Sequence, residues 1–334
     1  MLRALRFVCL AVAGLILLLA TAWAMGALYF DLPVRSLRAP LALVYGAAML
    51  ITLIVVRKRG LGMAIVAICF AGVLAWWLTL KPRQDRDWKP EVAALGSAII
   101  DGERVTVHNV RNFDYRTEHD FTPRYETRSY DLQKLRGVDL FVTYWGSPAI
   151  AHPILSFDFA TDGRLCFSIE TRSQRGQSYS AIGGLYRQFE QIYIAADERD
   201  VIRLRSNFRQ GEEVYLYRFN ASPETARGVF LEYIRTLNEL HERPRWYNAI
   251  KNNCTTAIRQ QRTAAERAPW DWRMLANGYA DEMLYERGTI DRLSLPFDEL
   301  KRRSHINSRA WTANDTPDFS ERIRTHFQSA AGQD

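Results

Sequence analysis

Residues 151–172 read AHPILSFDFATDGRLCFSIETR, and how this stretch folds decides the rest. It divides into two alternating runs around Thr161-Asp162-Gly163, a tripeptide suited to a three-residue hairpin loop with Gly163 in the left-handed position. That loop pairs Ala160 with Arg164, Ser156 with Ser168, Ile154 with Glu170 and His152 with Arg172. Side chains alternate faces along a strand. One face then carries Pro153, Leu155, Phe157, Phe159, Leu165, Phe167 and Ile169. The other carries His152, Ile154, Ser156, Asp158, Cys166, Ser168, Glu170 and Arg172. A two-residue loop would move Phe167 and Ile169 to the polar side, so it is rejected. The polar face then has two readings. It is a solvated sheet surface, or it holds His152 and Glu170 as diagonal neighbours, close enough for a carboxylate to orient an imidazole.

Outward from the hairpin, residues 97–112 read as two short strands turning at Asp101-Gly102, and 137–145 (GVDLFVTYW) as a buried strand. Residues 212–219 alternate like another strand. Residues 225–242 space Val229, Tyr233, Leu237 and Leu240 for one helical face, and Pro244 ends the run. Residues 112–134 are charged and aperiodic, which predicts a surface loop. After a second helix at 254–266 come Trp270, Trp272 and a polar tail. The whole is an α+β domain with an antiparallel sheet.

The first 84 residues are different in kind. Residues 7–30, 39–56 and 61–80 are three apolar runs, each long enough for a helix to cross roughly 30 Å of hydrocarbon. The first is too long for a signal-peptide core, and no small-x-small site precedes a polar start. Arg3, Arg6 and the tight Arg57-Lys58-Arg59 loop favour a cytoplasmic N-terminus, although Arg35, Arg38, Lys81 and Arg83 then lie outside. Loop length decides, because a short basic loop resists translocation and a long domain does not. The expectation is a multi-pass protein of a bacterial inner membrane, its domain on the periplasmic face. The net charge of +7 lacks the basic blocks of a nucleic-acid surface, so its partner is the membrane.

Of four cysteines, Cys9 and Cys69 fall in the apolar runs, leaving Cys166 and Cys254. Cys254 follows Tyr247-Asn248-Ala249-Ile250-Lys251-Asn252-Asn253. Asn253 is a strong helix N-cap. It would place Cys254 in a first turn, where the helix dipole favours thiolate and unpaired N–H groups could hold an oxyanion. With His152 on a facing strand this is the papain-like layout. The bland reading is a small buried cysteine. A Cys166–Cys254 disulfide is a rival that excludes the papain-like one. Cys166 lies roughly 20 Å along the strand from His152, and a disulfide needs Cα atoms within about 7 Å. His108, His119, His241, His305 and His326 are scattered, so no metal site is expected.

His152, Ser168-Ile169-Glu170-Thr171-Arg172, Tyr179, Asp200 with Arg203-Leu204-Arg205, Val214-Tyr215-Leu216-Tyr217, Tyr247-Asn248 and Asn253-Cys254-Thr255-Thr256 together resemble the Lnb-type periplasmic domain of bacterial lipoprotein N-acyltransferases. The likeness runs from about residue 140 to 324. It implies a circularly permuted papain-like fold over residues 137–334, behind a 1–84 membrane anchor and an 85–136 lead-in. It implies Cys254 as nucleophile and His152 as base. Glu170 as third member rests on the hairpin register. Ala151-His152-Pro153 departs from the expected Gly-His pair. The implied reaction moves an acyl chain from a phospholipid through a Cys254 thioester to the N-terminal amine of a diacylglyceryl-cysteine lipoprotein, with no cofactor. Trp270, Trp272 and Arg273 could lie at the membrane interface or in the core. The competing functions are a cysteine amidase or peptidase acting on peptidoglycan and a non-catalytic membrane-tethered binding module.

Overall fold

The structure is a computed structural model, and it describes residues 2–249, 269–274 and 276–328. Helices α1 (Leu2–Asp31), α2 (Arg35–Val55) and α3 (Arg59–Thr79) open the chain. Each is long and apolar enough to cross a membrane. Leu43, Ile54 and Ile68 are among the large apolar side chains they turn outward, an arrangement suited to lipid and not to water. The chain separates into two compact units. One contains these helices with Ser178–Glu190 and Trp246–Asn248, and the other contains the remainder from Arg86 onward.

The second unit is built on an eight-stranded sheet. Its strands are β1 (Ser97–Asp101), β2 (Arg104–Arg111), β5 (Tyr125–Asp131), β6 (Gly137–Trp145), β7 (Ser147–Asp158), β8 (Arg164–Arg172), β9 (Glu190–Ala196) and β10 (Glu212–Arg218). Their order is β1-β2-β9-β8-β7-β6-β10, with β5 also paired to β2. Most pairs are antiparallel, and β2 meets β9 in a parallel bridge at Arg111. A small ribbon, β3 (Asp114–Tyr115) and β4 (Phe121–Thr122), stands apart. With the three apolar helices, this is an α+β protein with candidate membrane spans.

Helix α5 (Pro223–Glu242) covers one face of the sheet. It starts where Ser222 accepts a hydrogen bond from the Thr225 N–H and Pro223 takes the first position. Its stripe of Phe230, Tyr233, Ile234, Leu237 and Leu240 is buried with Leu155, Phe157, Phe159, Leu165, Phe167 and Ile169 of the hairpin. Phe230 meets Phe157 edge-on at 5.2 Å and Phe159 at 4.9 Å. Such pairs add about 0.5–1.5 kcal/mol each beyond simple burial.

The opposite face is not solvated. It is covered by α4 (Glu198–Arg203) and, after α6 (Ala280–Glu286) and α7 (Phe297–Ser304), by the C-terminal α8 (Asn307–Ala313) and α9 (Phe319–Arg322). Ile306, Ala310, Ala313, Phe319 and Ile323 pack there against Phe141, Ile154, Cys166 and Ile194. Helices α8 and α9 are too short to show a period, and so their sequence reads as a polar tail. Among residues 112–134, where a surface loop was expected, β5 joins the main sheet. Its charges hid it: Arg128 pairs with Glu126 at 2.6 Å and with Asp197 at 2.7 Å.

The hairpin register also differs from expectation. Asp158 pairs with Arg164, Ser156 with Cys166 and Ile154 with Ser168. The connection consumes five residues because Phe159 N–H bonds the Gly163 carbonyl at 2.9 Å around a single tight turn at Ala160–Asp162. Asp158 caps that turn at the Ala160 N–H (3.0 Å), and Ala160 takes φ 53°. A shift of two residues preserves both faces. It changes the partners along them.

Candidate active site

His152 lies on β7, opposite Thr143 of β6, and is 8% exposed. Its Nε2 is 2.8 Å from the Ser168 hydroxyl, and Ser168 donates to Glu170 Oε1 at 2.8 Å. Glu170 Oε1 is 3.9 Å from Nε2. The carboxylate therefore reaches the imidazole through Ser168. The corrected register accounts for this: extended two residues beyond the Ile154–Ser168 pair, it would set His152 across from Glu170, with Ser168 as the diagonal neighbour. A hydroxyl has one proton. With that proton on the Glu170 carboxylate, Nε2 carries the hydrogen that Ser168 accepts, and Nδ1 is left as the basic nitrogen.

Arg205 fixes the carboxylate. It stands in a widened helical turn (Leu204–Phe208) after α4, is almost wholly buried, and donates to Glu170 and to Glu212, both at 3.1 Å. Burial alone would push the Glu170 carboxyl up. Arg205, His152 and Arg111 outweigh it and hold the group well below the usual carboxylate range. For His152 the balance runs the other way. Burial first and Arg205 second disfavour the imidazolium, Glu170 opposes them, and the result is a neutral ring pushed down to about 3. The site thus combines an ionised acid with a neutral base. Beside them, the Thr143 hydroxyl is buried and has no hydrogen-bond partner among the described residues.

The surroundings are braced by further buried ions. Asp200 binds Arg111 at 2.7 Å and accepts from the Phe113 N–H at 2.7 Å. Arg172 holds the Val92 and Ala93 carbonyls at 3.0 and 2.6 Å and lies over the Trp88 ring. Asn277 accepts from the Ala151 N–H at 2.8 Å and so fixes the backbone next to His152.

Cys254, its Asn253 cap and the helix at 254–266 lie outside the described residues. Cys166 is a free thiol with no exposed surface, and burial and the neighbouring Glu198 push it well up, which makes it unreactive. Trp270 and Trp272 are exposed and not in the core. No group of three or more His, Cys, Asp or Glu among the described residues could hold a metal ion. Sequence reasoning missed the relay role of Ser168, although strand parity had placed it on the correct face. It gave Arg205 no role, since only the fold brings residue 205 to residue 170.

The family model of the Lnb N-terminal periplasmic domain matches residues 121–278. The match begins earlier and ends sooner than the likeness read from the motifs, and it includes His152, Glu170 and Cys254. No curated protein and no solved structure matched the chain. The match and the three candidate spans support a membrane protein with a periplasmic domain.

Proposed function

We propose that the chain, which carries an Lnb-type periplasmic domain over residues 121–278, is a thiol-dependent lipoprotein N-acyltransferase of a bacterial inner membrane. The observation that carries the reading is the line His152–Ser168–Glu170–Arg205, which ends on a neutral imidazole whose Nδ1 has no hydrogen-bond partner among the described residues. A base of this kind is what a cysteine nucleophile requires. Cys254 supplies the sulfur, in a permuted papain-like domain where the histidine precedes the cysteine in sequence.

In the first step Cys254 Sγ, its proton taken by His152 Nδ1, attacks an ester carbonyl of a phospholipid. The new C–S bond forms, the C–O bond breaks, and the proton passes from His152 to the glycerol oxygen of the departing lysophospholipid. In the second step the free amine of a diacylglyceryl-cysteine lipoprotein attacks the thioester. The C–N bond forms, the C–S bond breaks, and His152 takes the amine proton and returns it to sulfur. A thiolate facing the ring favours its protonated form and opposes the burial effect. Glu170, through Ser168, orients the ring. Both substrates are confined to a bilayer, and three spans with a cytoplasmic N-terminus would keep the domain beside them on the periplasmic side.

The test is intact-mass analysis of the purified protein in phospholipid vesicles without acceptor. The parent gains one acyl chain that neutral hydroxylamine removes, and Cys254→Ala gains none. A membrane-inserted parent that never acquires the adduct would overturn the transferase reading, and cleavage of peptidoglycan fragments would replace it with the amidase one.

A further inference from the structure

Helix ends leave their last carbonyls without intrahelical partners, and at membrane depth water is not there to take them. In this chain one short segment, residues 186–188, serves the ends of two candidate spans. Arg187 Nη1 donates to the Trp77 carbonyl at 2.6 Å and to the Leu80 carbonyl at the end of α3. Its backbone N–H bonds Asp31 at 3.1 Å at the end of α1. Gln188 Nε2 donates to the Phe30 carbonyl and, at 2.8 Å, to Asp31. Trp77 Nε1 closes the set on Asp31 at 2.7 Å.

The residue before this clamp goes deeper. The Tyr186 hydroxyl reaches the Trp23 carbonyl at 3.4 Å, and the ring stacks on Phe30 at 5.0 Å. It also occupies the space that a side chain at Gly26 would need. Trp23 stands eight residues before the end of α1, about 12 Å along its axis. The 25-residue span is about 37 Å long, against about 30 Å of hydrocarbon. Even with the whole excess of about 7 Å projecting at the Asp31 end, the Trp23 carbonyl is inside the apolar layer.

The backbone leading to Tyr186 is arranged for such a place. Gly184 N–H bonds Ser180 O at 2.8 Å, Leu185 N–H bonds Ile182 O at 3.0 Å and Tyr186 N–H bonds Gly183 O at 3.0 Å. The Ser180 hydroxyl takes the Gly183 N–H at 3.2 Å. Irregular backbone is tolerated at membrane depth where protein buries it, and Gly183, Gly184 and Tyr186 are buried. Meanwhile Ile182 is 63% exposed, and Leu185 is exposed as well.

We propose that residues 180–186 form a re-entrant turn seated in the hydrocarbon layer at the Asp31 end of α1, with Ile182 and Leu185 against lipid acyl chains. The proposal rests on the spanning reading of α1–α3 and is independent of the acyl-transfer chemistry. It adds a lipid-contact surface beyond the three helices.

The test uses the full chain with Cys9, Cys69 and Cys254 replaced by Ser and Cys166 left in place. A single Ile182→Cys is labelled with an environment-sensitive fluorophore in phosphatidylethanolamine–phosphatidylglycerol vesicles. Ile51→Cys, on the outward face of α2, is the reference for lipid contact. Nitroxides on the lipid acyl chains are expected to quench the Ile182 label at least half as well as the Ile51 label, and aqueous iodide to quench neither. The Leu185→Cys label should behave alike. Lipid quenching at Ile51 with iodide quenching at both loop positions overturns the proposal. No lipid quenching at Ile51 overturns the spanning reading itself.

Discussion

The polar face of the β7–β8 hairpin carries two buried ionic clusters, and they differ in what they leave open. At the turn end, Ser156 donates to Glu198 at 2.5 Å, Arg324 binds Glu198 at 2.6 Å and Asp139 at 2.8 Å, and Cys166 lies among them. Burial works against the Glu198 carboxylate, but Arg324 outweighs it and holds the group at about 2. At the other end, Arg205 plays the same part for Glu170, yet the chain of hydrogen bonds ends on a neutral imidazole with one basic nitrogen. Both clusters place ions on a single sheet face. Only one of them ends on a neutral base, whose proton affinity a facing thiolate would raise, and that separates a brace from a candidate catalytic centre.

The largest expected effect falls on the open end. His152→Ala should lower acyl transfer by about 10²–10⁴-fold, the usual worth of a positioned base. A fold-preserving His152→Ala with undiminished transfer would break the distinction. The sealed end should respond in stability instead. Arg324→Met leaves Glu198 buried without its cation and should cost about 3–5 kcal/mol in denaturant unfolding, with unchanged turnover per folded molecule. Ser168→Ala should reduce transfer by roughly tenfold to a hundredfold, the loss of one charge-assisted hydrogen bond. It should also cost roughly 1–3 kcal/mol in unfolding, less than Arg324→Met, because it strips a buried partner from His152 and Glu170.

The smallest effect is a pH dependence of stability. His152 is held down to about 3 in the folded chain, against about 6.5 when unfolded. Between those values the unfolded state binds the extra proton. Stability from the neutral ring is therefore complete above the unfolded value and falls as the pH drops, with a limiting slope of about 1.4 kcal/mol per pH unit. Between pH 6.5 and pH 5, above the range where Glu170 and Glu198 titrate, that slope should be smaller in His152→Gln. Identical slopes would mean that His152 is not held neutral.

Much of this hairpin was legible in its sequence. Strict alternation sorted Leu155, Phe157, Phe167 and Ile169 from His152, Ser156, Ser168 and Glu170, and the helical spacing of Tyr233 and Leu237 predicted the cover for the apolar side. The turn was less legible, because a positive φ at Ala160 is a strained state that no residue type there announces. The cover of the polar face was not legible at all. It comes from helices of four to seven residues, two of them more than a hundred positions away, whose apolar residues are too few to set a period. Sequence separation also hid Arg205, 35 residues from Glu170, and Arg324, 126 from Glu198, because the fold and not sequence neighbours brings these pairs together.

The most direct test of the acyl-transfer claim is intact mass spectrometry of a lipoprotein's N-terminal peptide. The peptide is taken from cells that lack their own N-acyltransferase and express either this chain or its Cys254→Ala form. An added acyl chain with the parent and a free amine with Cys254→Ala is the predicted result. A free amine with both, given equal expression in the membrane, would contradict it.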